Sequence, residues 1–188
     1  DAVDIGDGGE RLSGYVHKMP KESQEALLKA LQSFYPQLNG LTTKAMRAGW
    51  RDLRIIEGYL DVQKRPLDTA ARQINDGLLR VLAVLSQVNS AVYPRQSSLP
   101  DIVKATGESP CVLFDEIENG INPELTERLV DLLLKANRQV IVTTHSPLIL
   151  NYLKDEVAER SVVLLYRNSS GHTQAVRLFD LPSTRRKL

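Results

Sequence analysis

An α/β architecture, with parallel core strands and flanking helices, is what this sequence predicts, and three observations predict it. Cys111-Val112-Leu113-Phe114 and, about thirty residues later, Gln139-Val140-Ile141-Val142 are apolar runs of the length of one buried strand. Between them, Pro123 opens a helical pattern carrying Leu125, Leu129, Val130, Leu132, Leu133 and Leu134. A strand, helix, strand order of this kind gives a right-handed crossover and two parallel strands. Both runs also end in polar groups, Asp115-Glu116 after the first and Thr143-Thr144-His145 after the second. At the carboxyl ends of neighbouring parallel strands, such groups meet at one crevice, where open α/β sheets bind ligands.

The other elements follow in chain order. Residues 1–10 are acidic and glycine-rich and read as a loop, a remnant of whatever precedes it. Pro20-Lys21-Glu22-Ser23 opens a helix whose apolar face is Ala26, Leu27, Ala30, Leu31 and Phe34, ended by Tyr35-Pro36. Residues 50–59 read as a strand with Leu53 and Ile55 facing one way. Residues 77–88 form a helix that is apolar almost all round, at Leu78, Leu79, Val81, Leu82, Val84 and Leu85, so deep packing is expected. Residues 89–110, with prolines at 94, 100 and 110, read as connection with a short helix over 100–106. Ser146-Pro147 is an N-cap and N1 pair for a short helix reaching Leu153. Residues 161–166 and 173–179, joined through Asn168-Ser169-Ser170-Gly171, form a hairpin at the sheet edge. The basic Arg185-Arg186-Lys187 reads as a solvated tail.

Composition narrows the classes. A chain of 188 residues with 42% hydrophobic content buries a real core, and a net charge of +1 gives no electrostatic case for nucleic acid by itself. No run of eighteen apolar residues and no signal-peptide pattern occurs, so neither membrane insertion nor secretion is expected. Cys111 is the single cysteine, which excludes an internal disulfide and points to a cytoplasmic protein. Its place in an apolar run predicts a packing role.

The carboxylate pair has a chemical reading. Successive strand side chains point to opposite faces, so Asp115 and Glu116 serve one site only if the strand ends there. Asp115 then stands on the metal side, because Mg²⁺ takes one or two carboxylates plus phosphate oxygens and retained water. Glu116 is placed to polarise an attacking water, and His145 to hold a γ-phosphate from the next strand. The bland alternative is a surface turn at Asp115-Glu116 and a strand cap at His145. The apolar run before the pair, the turn after it and the matching strand with His145 favour a nucleotide-hydrolysing site.

Val112-Leu113-Phe114-Asp115-Glu116 resembles the Walker B motif of ABC-type ATPases. In the same register, Asn119-Gly120-Ile121-Asn122-Pro123 lies where that family has its D-loop, and Val142-Thr143-Thr144-His145-Ser146-Pro147 resembles its switch-histidine segment. Upstream, Ile74-Asn75-Asp76-Gly77-Leu78-Leu79-Arg80 sits where the family has its signature motif. The wording is most similar to the AAA-type ABC ATPases related to SMC, RecF and the OLD family, and the likeness is strong over residues 70–155. It implies a P-loop NTPase fold of ABC-ATPase type, in its C-terminal part, with a helical signature lobe over 1–89 and the Walker B and switch-histidine core over 90–188. It implies ATP and Mg²⁺ as ligands, with Asn75, Asp76 and Gly77 acting in trans within a homodimer and Asn119, Gly120 and Asn122 contacting nucleotide. DNA is admitted as a partner, in repair, maintenance or phage defence. The clustered carboxylates of a nuclease do not follow residue 161, so any nuclease belongs to a partner or to another segment.

Two departures shape the expectation. The signature of the family opens with serine, where this chain has Asn75, a donor of different reach. No Gly-x-x-x-x-Gly-Lys-Ser/Thr loop occurs anywhere in the chain, so the backbone cradle and lysine for the phosphates are absent. The chain therefore reads as half of an active site, completed by an N-terminal Walker A part of the same protein. A transporter-type ATPase subunit and an inactive nucleotide-binding scaffold are the competing readings.

Overall fold

The computed structural model describes residues 5–6, 8–88, 111–136 and 138–185. The expected connection over 89–110, its short helix and the basic tail beyond Arg185 lie outside the described residues, and the division expected at 89/90 falls where the description breaks off. By its contacts the chain forms two compact units, Asp1–Thr144 and His145–Leu188.

In the first unit, helices α1 (Leu12–Lys18) and α2 (Lys21–Gln32) precede a three-stranded antiparallel sheet in the order β1 (Leu38–Ala45), β2 (Arg51–Leu60), β3 (Pro66–Ala70). Sequence periodicity gives only the central strand of this sheet, with Leu53 and Ile55 buried on one face as expected. Trp50 stands before the strand and is 70% exposed. The region before the signature segment is thus a mixed lobe instead of a helical one with a linking strand, since β2 satisfies its backbone on both sides. Residues 5–6 and 8–10 make specific contacts too. Ile5 is buried, and its carbonyl accepts from Arg11 N at 2.9 Å.

Helix α3 (Asp76–Val88) supplies much of the core through Val81, Leu82, Val84, Leu85 and Val88, and α2 packs on it and on β1 through Leu27 and Leu31. This follows from apolar spacing of three and four residues on both helices. Strands β4 (Val112–Phe114) and β5 (Val140–Val142) then pair in parallel, Val112 with Val140, Leu113 with Ile141 and Phe114 with Val142. Helix α4 (Pro123–Leu134) connects them and buries Thr126, Leu129, Val130 and Leu133. The ladder is only three residues long on each side, shorter than the apolar runs. Cys111 lies before it and is exposed, so the expected packing role is not met.

Tyr35 ties the end of α2 to the antiparallel sheet. Its hydroxyl donates to Glu57 Oε2 at 2.9 Å, while Thr69 Oγ1 donates to Glu57 Oε1 at 3.0 Å. Burial, and then the Glu57 carboxylate, push the Tyr35 hydroxyl from 10.0 up to about 12. A raised native pKa means the folded state holds the proton more tightly. The contribution is whole below pH 10 and is lost as pH rises toward 12. Chemical denaturation across that alkaline window should show a steeper fall in stability for the native chain than for Tyr35→Phe. Equal slopes would contradict the coupling.

The second unit begins with a 3-10 segment, Pro147–Tyr152, where a helix is expected; Ser146 precedes it without a side-chain cap bond. Helix α5 (Asp155–Ser161) leads into a hairpin of β6 (Val163–Arg167) and β7 (Thr173–Arg177). Asn168 Oδ1 accepts from Ser170 N and His172 N, and Gly171 adopts φ 81°, so the residues expected at the turn do close it. Among the described residues the two strands of the hairpin form a sheet of their own. The unit closes with α6 (Pro182–Arg185).

Candidate active site

Asp115 and Glu116 follow directly on β4, and the backbone turns sharply there: Glu116 has φ 46°, a left-handed conformation in a residue other than glycine. Such a conformation costs about 1–3 kcal/mol and persists only where neighbours enforce it. Thr143, the first residue past β5, is one of them. Its hydroxyl donates to Asp115 Oδ1 and accepts from Glu116 N at 2.9 Å, while Thr143 N donates to Phe114 O at 2.9 Å. The strand therefore ends at the pair, as the shared site requires, and Asp115 is left exposed.

Beyond the pair, Ile117 is buried and its N–H donates to Thr143 O at 3.2 Å. Asn119 N donates to Glu116 O at 2.9 Å, and Asn119 Nδ2 reaches Glu116 Oε2 at 3.3 Å, orienting that carboxylate. Gly120 takes φ 74°. Asn122 Oδ1 accepts from Leu125 N at 2.8 Å, an N-cap for α4 with Pro123 at N1.

The amino end of α3 meets this turn. Asn75 Oδ1 accepts from Gly77 N at 2.7 Å and so caps the helix. A Cβ on Gly77 would overlap the Gly120 carbonyl oxygen, which is why this position holds glycine. Arg80, one turn further, donates through Nη2 to Asp115 O at 2.6 Å and Glu116 O at 2.7 Å.

A cavity of about 850 Å³ opens on these groups, lined by Asp76, Arg80, Asp115, Glu116, Asn119 and Gly120, with Arg51, Gly6, Gly8 and Gly9 also in its wall. A second cavity of about 490 Å³ holds Asn75, Gly77 and Asn122, and Gly120 borders both. The structure thus gathers Asp115, Glu116, Asp76, Asn119 and Gly120 at one opening and places Asn75, Gly77 and Asn122 at its neighbour. His145 lines neither cavity and begins the second unit. Thr143 and the role of Arg80 are not read from the sequence. The pairing of Phe114 with Val142 sets Thr143 opposite Asp115, a signal that exists only once the register is known.

Among the described residues no group of three or more His, Cys, Asp or Glu could hold a metal ion. Mg²⁺ that arrives with a nucleotide takes only one or two protein carboxylates. Exposed Asp115 with the Thr143 hydroxyl beside it fits this demand.

Paired carboxylates follow directly on a parallel strand, beside the amino end of a helix, at the place where open α/β sheets bind ligands. The family model described as "AAA domain, putative AbiEii toxin, Type IV TA system" matches residues 14–151, and the chain belongs to that family. It is therefore an AAA-type ATPase domain. A solved structure from "Structural biochemistry of ATP-driven dimerization and DNA stimulated activation of SMC ATPases" is similar over 88% of this chain and 89% of its own, at 15% identity and a TM-score of 0.49. That likeness carries no functional weight. No curated protein matches the chain. No helix among the described residues is long and apolar enough to cross a membrane.

Proposed function

We propose that this chain is the Walker B and signature portion of an ABC-type ATPase of the SMC, RecF and OLD kind, hydrolysing Mg²⁺-bound ATP once a phosphate loop is supplied by an N-terminal part of the same protein. The Thr143 hydroxyl, held between the Asp115 carboxylate and the Glu116 amide, carries the proposal, because it fixes the two carboxylates at one strand end. Asp115 would hold Mg²⁺ brought in with the nucleotide. Glu116, oriented by Asn119, accepts the proton of the attacking water. Bound Mg²⁺ supplies charge neutralisation on the phosphates.

Two further features support the half-site reading. The phosphate-loop pattern is absent from the sequence. Strands β4 and β5 expose Leu113 (65%) and Ile141 (47%), although parallel sheets are covered on both faces. A homodimer sets residues 75–77 of one protomer against nucleotide on its partner, with Asn119, Gly120 and Asn122 also contacting nucleotide, and DNA and a separate nuclease are the partners proposed for the assembly.

The purified 188-residue chain should show no ATP turnover above its own Glu116→Gln form, because it lacks a phosphate cradle. Turnover above that control would overturn the half-site reading.

A further inference from the structure

The Arg80 guanidinium reaches the carboxylate turn through the turn's backbone. One nitrogen, Nη2, donates to two successive carbonyls, Asp115 O at 2.6 Å and Glu116 O at 2.7 Å. Successive carbonyls in a strand point to opposite sides, so a single donor collects both only where the chain has turned. The left-handed φ of Glu116 provides that turn.

Arg80 also follows Gly77 by three residues on α3, which puts the two on one helix face. Gly77 abuts the Gly120 carbonyl at the far end of the same turn. Helix α3 therefore grips residues 115–120 at two points, and its cap, Asn75, lies at the surface assigned to the partner's nucleotide. A displacement of α3 cannot leave the Glu116 backbone where it was.

We propose that Arg80 is a positioning residue that holds the Asp115-Glu116 turn and conveys the position of the signature helix to the water-activating carboxylate. The proposal rests on the hydrolytic role assigned to Glu116. Arg80 contacts neither phosphate nor water in this scheme. It acts through Glu116, and its loss lowers turnover while nucleotide still binds.

The test uses the complete, phosphate-loop-containing protein and compares Arg80→Ala, Arg80→Lys, Glu116→Gln and the Arg80→Ala/Glu116→Gln double variant under single turnover, with ATP affinity measured separately. Arg80→Ala should slow hydrolysis by about 10²-fold with affinity within about threefold, a split that places the loss at the reacting centre. Arg80→Lys keeps a donor able to bridge the two carbonyls and should recover about tenfold of the loss. The double variant should be no slower than Glu116→Gln alone, because residues acting as one unit are not additive.

Losses that multiply in the double variant, or an Arg80→Ala rate within twofold of the parent while Glu116→Gln is slow, would overturn the positioning role and leave the hydrolytic reading standing. A Glu116→Gln rate equal to the parent would instead overturn the hydrolytic reading itself. Should Arg80→Ala not fold, as judged by thermal melting, Arg80→Met keeps most of the aliphatic stem without the donor and is read by the same criteria.

Discussion

Glu116→Gln in the complete enzyme is expected to leave nucleotide binding nearly intact and to slow hydrolysis by a factor of about 10² to 10⁴. The substitution removes a proton acceptor with little change of shape, and Gln retains an oxygen for the Asn119 amide that now reaches Oε2 at 3.3 Å. Asp115→Asn should act at an earlier step. Its Oδ1 can still accept the Thr143 hydroxyl, so the turn survives while the charge offered to Mg²⁺ is gone. Equilibrium binding of Mg²⁺-nucleotide, measured beside single-turnover hydrolysis, separates the two roles. Equal loss of binding in both variants would contradict the division of labour.

The second large effect concerns the segment 75–77. If it serves nucleotide on the partner protomer, Asn75→Ala should lower hydrolysis by about 10², the loss typical of a donor aimed at developing charge. Mixing that variant with one disabled in its phosphate loop should restore about half the parental rate per heterodimer, since one of its two composite sites is then whole. Asn75 suits this test better than Gly77. A side chain at Gly77 collides with the Gly120 carbonyl of its own chain, and overpacking of that kind costs about 1–3 kcal/mol. Damage in cis would then pass for failure in trans. The loss of the Asn75 cap costs only about 1 kcal/mol. A mixture that remains as slow as either parent, with the heterodimer demonstrably formed, would exclude the trans role.

The elements legible in the sequence are those whose faces repeat. Leu27 and Leu31 on α2, Val81, Leu82 and Leu85 on α3, and Leu129, Val130 and Leu133 on α4 recur at helical spacing and are buried. Leu53 and Ile55 alternate on β2 in the same way. Its neighbours are harder to read. Strand β1 carries Asn39 and Gly40 near its start and shifts register between Leu38 and Gly40, while β3 opens on Pro66, a residue that edge strands tolerate. Helices α1 and α5 are seven residues each, too short for periodicity to declare itself.

At the candidate site, the residue types announce the carboxylates, and the glycine at 77 has a visible cause in the Gly120 contact. Thr143 and Arg80 carry no such announcement. They lie 28 and 35 residues from Asp115, and only the pairing of β4 with β5 and the rotation of α3 bring them to it.

The three-rung ladder between β4 and β5 gives Thr143 a duty beyond the chemistry. So short a parallel pair has little backbone bonding with which to choose its alignment, and sliding β5 by one residue would turn every side chain to the opposite face. In a slipped pairing the hydroxyl would no longer meet both Asp115 and Glu116 N, and the left-handed residue between them would lose a support. The same contact that assembles the carboxylates thus proofreads the strand alignment, so a chain that has misaligned its core also lacks its reactive centre.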